Sequence, residues 1–168
     1  MAETYPLESL LNVRNYREDA AKRNLTRAQQ TVKEAEQARL DRIAELERWR
    51  IWKVEETDRR YAAFLGKVTV IEKIDAFNRG LAHLAEEEVG KVAAVDEAEA
   101  TLDRAKKDCV KAQEAAKEAR KNTAKIETHK EIWTAESKKE AERKEDLELE
   151  EFKPVMQLGQ GAEDDHVQ

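Results

Sequence analysis

The stretch Phe64-Leu65-Gly66-Lys67-Val68-Thr69-Val70-Ile71-Glu72 decides the fold, because a long helical pattern breaks and restarts within it. Gly66 can adopt the left-handed conformation that terminates helices. Thr69, with Glu72 three residues on, has the spacing of a capping box, in which each side chain satisfies an orphan amide of a new helix. A turn at 66–69 this short makes its flanking helices antiparallel neighbours. Working outward, Pro6 and Pro154 are the only prolines. Pro6 suits a first helical position, where its missing N–H costs nothing. Pro154 disfavours helix at Lys153. These signals predict one hairpin over residues 1–154, with helix 1 at about 7–65 and helix 2 at about 70–152. At 1.5 Å per residue the helices would run roughly 90 Å and 125 Å. Residues 155–168, with two glycines and an acidic end, are expected to be disordered.

Both arms carry apolar stripes in steps of three and four. Helix 1 offers Leu7, Leu11, Arg14, Glu18, Ala21, Leu25, Ala28, Val32, Ala35, Arg39, Arg42, Leu46 and Trp49. Helix 2 runs from Ile74, Phe77, Leu81 and Leu84 through Glu88, Lys91, Val95, Ala98, Leu102, Ala105, Cys109 and Ala112 to Ile126, Lys130 and Trp133. Seven-residue repeats imply a left-handed supercoil. With the turn at 66–69, facing residues should have numbers summing to about 137. That sets Leu25 against Ala112, Ala28 against Cys109, Val32 against Ala105 and Ala35 against Leu102, so large faces small in successive layers. The expected fold is all-α, a long antiparallel two-helix coiled-coil hairpin whose second helix is the longer. Polar interruptions and the many alanines predict modest stability.

Composition agrees. Charged residues make up 40% of the 168 and aromatic residues only 5%, too few large apolar groups for a compact globule but enough for two narrow stripes. The formal charge of −6 is spread along the chain without a basic block, so nucleic acid is not expected as a partner, and no membrane insertion is expected either. No stretch reaches the ~18 apolar residues of a membrane span, and the opening residues lack a signal-peptide pattern. Together these predict a soluble, cytoplasmic chain, monomeric in isolation. The lone Cys109 cannot form an internal disulfide and sits on the seam as a small apolar group. His83, His129 and His166 lack metal-ligand spacing, and Gly66-Lys67-Val68 is no phosphate loop. No catalytic constellation, metal or cofactor is expected, and the chain is read as a binder of other proteins and not an enzyme.

The scarce aromatics are the candidate contacts. Trp49 falls on the seam, whereas Ile51 and Trp52 fall off it. Large apolar groups left outside a thin charged coiled coil mark contact sites, and Trp is enriched at binding hot spots. A register shift that packs Val54, Tyr61 and Leu65 inward is the competing reading, and the sequence leaves both open. Trp133 should lie across from Thr4–Pro6 and close the open end. The run Glu145–Glu151 reads as a solvated face.

Three stretches carry a likeness to a known family. Tyr5-Pro6-Leu7-Glu8 with Leu11 opens the chain. Trp49-Arg50-Ile51, then Glu55-Glu56 with Tyr61 and Phe64, precedes the turn. His129-Lys130-Glu131-x-Trp133 leads into a charged helix closing in Glu150-Glu151-Phe152. In these the chain resembles the YscO-type proteins of type III secretion systems, relatives of the flagellar export protein FliJ. The resemblance implies a stalk, like the γ subunit of rotary ATPases, seated in the hexameric secretion ATPase and reaching the export gate protein, peripheral at the cytoplasmic base of the apparatus. It also implies binding to secretion chaperones, and export for some members. The partner-binding set on this reading is Trp49, Arg50, Ile51, Trp52, Tyr61, Phe64, His129, Trp133, Glu150, Glu151 and Phe152. Two other classes stay open, a generic structural coiled coil such as a peripheral stalk or spacer, and a helical-prong holdase chaperone.

Overall fold

The computed structural model describes residues 4–158, with side chains as far as Glu151. Two helices, α1 (Glu8–Phe64) and α2 (Ile71–Leu158), make up an all-α antiparallel hairpin, and no strand occurs among the described residues. The contacts divide into two units. One joins the described residues up to Ala20 with those from Lys117 on, and the other comprises Ala21–Ala116.

Gly66 takes φ +78°, the left-handed conformation expected of it, and α1 closes with the Leu65 amide donating to the Tyr61 carbonyl at 2.9 Å. The capping box does not form. α2 begins at Ile71, and the Val70 carbonyl accepts from Lys73 and Ile74. Val70 therefore occupies the cap position, one residue beyond Thr69, and the pair Thr69/Glu72 is out of register by that residue. At the other end α2 runs to Leu158 and not to about 152. Proline removes one amide donor from a helix but its own φ is helical, so Pro154 costs a bond without forcing a stop. Residues 159–168 of the expected tail lie outside the described residues.

Within the Ala21–Ala116 unit, Ala35, Leu102 and Ala105 form a buried cluster with Val32 packed against it. These are the two layers that the seven-residue repeats pair, Val32 with Ala105 and Ala35 with Leu102. The ion pairs that cross between helices obey the same register. Arg39–Glu99, Glu45–Lys91, Arg50–Glu88 and Lys53–Glu88 in this unit, and Glu18–Arg120 and Glu8–Lys130 in the other, join residues whose numbers sum to between 136 and 141. One stripe residue is misplaced by the repeat. Arg42 is exposed and pairs with Glu45 on its own helix, while Ile43 is half-buried in its stead. Turning the isoleucine inward avoids desolvating a guanidinium in a seam with no room for its partners.

Two substitutions probe this frame. Leu102→Ala removes the large member of a buried layer and should cost about 2 kcal/mol, toward the low end for leucine truncation because a thin seam can collapse. Gly66→Ala meets no atom within 4 Å, so its cost, about 1 kcal/mol, is conformational alone. Thermal unfolding followed by circular dichroism checks both. A Gly66→Ala protein as stable as the parent would refute the left-handed turn.

Candidate partner-binding surfaces

In the Ala21–Ala116 unit the seam near the turn is not apolar. Beyond Leu46 and Trp49 it continues through half-buried Lys53, Glu56 and Arg60 to Phe64. The charges are held in place by partners. Glu88 receives hydrogen bonds from Lys53 Nζ at 2.6 Å and Arg50 Nε at 2.8 Å. Lys91 Nζ donates to Glu45 at 2.8 Å, and Arg60 Nε donates to Glu56 at 2.8 Å. The Lys53 bond, then the Arg50 bond, holds the Glu88 carboxyl below the usual carboxylate range. Lys91 and then Arg42 do the same for Glu45, and Arg60 does so for Glu56.

Because this polar seam keeps the seven-residue repeat, it leaves the neighbouring apolar side chains outside. Ile51 is 64% exposed, Val54 62% and Leu65 69%, with Trp52 and Tyr61 each at 42%. The register shift that would have packed Val54, Tyr61 and Leu65 inward does not occur. Trp49 is half-buried, its ring 6.1 Å from that of Trp52 and under the Lys53 ammonium at 5.6 Å. Arg50 is committed to Glu88. Phe64 stacks on Phe77 at 4.6 Å, and Tyr61 meets the same ring edge-on at 5.0 Å. Of the sequence-derived contacts in this unit, Ile51, Trp52 and Tyr61 therefore present surface, while Trp49 and Phe64 support it from within.

The unit holding both chain ends has a different centre. Tyr5 is buried, its hydroxyl 2.7 Å from His129 Nδ1 and its ring edge-on to Trp133 at 5.5 Å. Lys130 lies over the same ring at 5.9 Å and pairs with Glu8 at 2.7 Å. Trp133 thus meets the Thr4–Pro6 segment where the register puts it, and His129 is engaged beside it. The register set Trp133 against Thr4–Pro6 but gave Tyr5 itself no packing role, because Tyr5 lies on no periodic stripe. Deeper in this unit Glu18 and Thr123 are buried, Thr123 donating to the Ala119 carbonyl, and Arg14 Nε is buried without a partner. Glu150 and Glu151 are exposed, and the Phe152 side chain lies outside the described residues. Among the described residues no group of three His, Cys, Asp or Glu is placed to hold a metal, and no helix is long and apolar enough to cross a membrane.

Comparison with known proteins joins this arrangement to a family. Residues 7–155 match the family described as Type III secretion protein YscO. The chain belongs to the YscO family. Solved structures of the same fold include the type III secretion protein YscO from Vibrio parahaemolyticus, with a TM-score of 0.80 and 24% identity over 87% of this chain and 92% of that one. A putative YscO homologue from Chlamydia trachomatis matches with a TM-score of 0.76 and 20% identity over 96% of this chain and 99% of that one. No match is found among curated proteins. Membership of the YscO family makes the protein a component of a type III secretion apparatus, and at these identities the two structures establish the fold alone.

The lowered carboxyls give a pH dependence with a definite sign. A carboxyl whose folded pKa is depressed adds stability above the unfolded value, about 4.3 for Glu, and that stability is lost as pH falls through the folded value. The melting temperature should therefore drop as pH is taken from about 5 to about 3, and Glu88→Gln should flatten that drop. An unchanged pH profile in Glu88→Gln would remove Glu88 from this account.

Proposed function

We propose that this YscO-family protein is a non-enzymatic stalk of a type III secretion apparatus, engaging the hexameric export ATPase at the cytoplasmic base and linking it to the export gate. The residues of the unit that holds both chain ends, with the α2 segment beyond Trp133, engage the ATPase. The exposed apolar groups near the turn meet the gate protein or a secretion chaperone. The observation that carries the reading is the apolar set Ile51, Trp52, Val54, Tyr61 and Leu65, left outside a seam closed by Lys53, Glu56 and Arg60. A helix that spends charged residues inward and aromatic ones outward has its apolar surface directed at something other than its own partner helix. Family membership supports the secretion context, and the charged, exposed α2 segment from Thr134 to Glu151 supports an electrostatic contact at the open end.

The test uses the purified protein, its cognate ATPase, and the gate cytoplasmic domain or chaperone. The full chain should bind the ATPase and change its rate of ATP hydrolysis, and a chain ending at Trp133 should lose that binding. Ile51→Ala with Trp52→Ala should leave ATPase binding intact and weaken gate or chaperone binding by about tenfold, the scale of a hot-spot loss. ATPase binding that survives the truncation would reverse the assignment of ends. A full chain that ignores the ATPase and forms dimers or trimers would return the protein to a general structural coiled coil.

A further inference from the structure

The exposed apolar side chains of the Ala21–Ala116 unit gather on one side of it. Along α1 the seam runs through Arg39, Leu46, Trp49, Lys53, Arg60 and Phe64, and the residues that follow these are Leu40, Glu47, Arg50, Val54, Tyr61 and Leu65. Leu40, Val54, Tyr61 and Leu65 are all exposed, and Ile51, two residues before Lys53, borders the same stripe. On α2 the residues that follow Leu84, Glu88, Lys91 and Val95 are Ala85, Val89, Val92 and Asp96, with Val89 68% exposed. A two-fold axis normal to the plane of two antiparallel helices relates one to the other, so equal offsets from the seam emerge on one side. The bonded pair Lys53–Glu88 holds the two stripes at the same level. Two shallow grooves result. One is lined by Arg50, Lys53, Val54, Thr57, Asp58 and Glu88, the other by Ala85, Glu88, Val89, Val92, Ala93 and Asp96, so that Glu88 belongs to both.

The opposite side differs in kind. The residues that precede the same seam positions are Ala38, Glu45, Arg48, Trp52, Arg59 and Ala63 on α1, and His83, Glu87, Gly90 and Ala94 on α2. Trp52 is the one large apolar group among them. The unpaired charges of the groove side are also nearly all of one sign. Arg50 and Lys53 are both bonded to Glu88. Among the described residues Glu47, Asp58, Glu86 and Asp96 make no ion pair, and all four are exposed. The nearest unpaired cations on this side are Arg79, at its edge towards the turn, and Lys33 and Lys106, which lie beyond Glu36 and Asp103 at the other end.

We propose that this side of the unit is a docking groove for a basic amphipathic α-helix of another protein, laid along the hairpin to complete a three-helix coil over about 20 residues. The inference rests on the reading of the exposed apolar set as a contact surface, and it deepens that reading by giving the partner's form and by setting Trp52 outside the contact. The repeat calls for a helix. Leu40, Glu47, Val54 and Tyr61 recur at every seventh residue, as do Val89 and Asp96, which is the spacing that a helical partner reads. Ala85 and Ala93 line the α2 groove, where a large side chain of a third helix finds room. The unpaired acids call for a basic partner. A second copy of this chain would bring the same acids against one another, and nucleic acid or an anionic membrane would be repelled by them.

The test titrates the full chain with a labelled helical peptide of about 20 residues, bearing Leu at a and d and Lys at e and g, and with a copy bearing Glu for Lys. Fluorescence anisotropy at low and physiological salt reads the binding. Glu47→Lys, Asp58→Lys and Asp96→Lys reverse acids of the groove side, and Asp41→Lys, Glu55→Lys and Glu97→Lys reverse exposed acids of the opposite side. Ile51→Ser with Val89→Ser removes apolar surface from the groove side, and Trp52→Ser removes it from the other. Circular dichroism first establishes that each variant keeps the parent helix content. The Lys peptide should bind at least about tenfold more tightly than the Glu peptide, lose about tenfold in both groove-side variants, and lose less than about threefold in both controls. No binding of the Lys peptide at low salt, equal affinity for the two peptides, or equal losses on the two sides overturns the proposal. Dimerisation of the parent chain that Ile51→Ser with Val89→Ser abolishes would assign the groove to a second copy and overturn it as well. The same variants are assayed against the gate domain and the chaperone. Loss of that binding without any peptide binding discards the helical partner and keeps the contact surface, whereas groove-dependent peptide binding with unchanged gate and chaperone binding keeps the groove and discards those two occupants.

Discussion

Every feature of this protein rests on one register between two antiparallel helices. The left-handed Gly66 ends α1, the short connection returns the chain, and the layers Val32–Ala105 and Ala35–Leu102 fix which residue faces which. A layer of one large and one small side chain fills a two-helix seam without voids, and a slip of three residues would set Ala35 against Ala105 or Val32 against Leu102. The same register brings Arg50 and Lys53 to Glu88, Arg39 to Glu99, and Lys130 to Glu8. Apolar layers set the position, and the ion pairs are compatible with it without being strong enough to set it, since exposed pairs contribute about 1 kcal/mol at most.

What the seam excludes matters as much as what it includes. Between Trp49 and Phe64 the inward positions are charged, so the local hydrophobic contribution is small and the outward apolar residues have no place to go. Ile51, Val54 and Leu65 stay in water at a cost that a packed alternative would have avoided. A family whose members work inside a secretion apparatus gives that exposure a context, because an apolar surface without an internal partner is the usual mark of an external one.

The end that carries both chain termini uses a different device. Tyr5 is driven between His129, Lys130 and Trp133, so that a segment before the first helical turn is fastened to α2 by one aromatic side chain. Its ring supplies buried area and its hydroxyl finds the imidazole nitrogen, the combination that makes tyrosine effective at the edge of a small core. Nearby, Glu18 and Thr123 are buried with bonding partners, while Arg14 leaves Nε unsatisfied, and this polar interior makes the unit's packing unlike that of the alanine and leucine layers beyond it.

The heptad spacing, the single glycine break and the scarcity of aromatics determined by themselves the helical hairpin, its register and the pairing of its layers, because a two-helix seam reads only periodicity and turn position. Boundaries were decided by local energetics too close to resolve from pattern. Val70 caps α2 where Thr69 had the better side chain, helix continues through Pro154, and Ile43 replaces Arg42 in the seam, each a matter of about one hydrogen bond or one desolvated group. The exposure of Ile51 and Trp52 and the burial of Tyr5 needed the tertiary structure. They depend on which residues, about 35 to about 125 positions apart in sequence, share a layer, and a linear reading of hydropathy averages that information away.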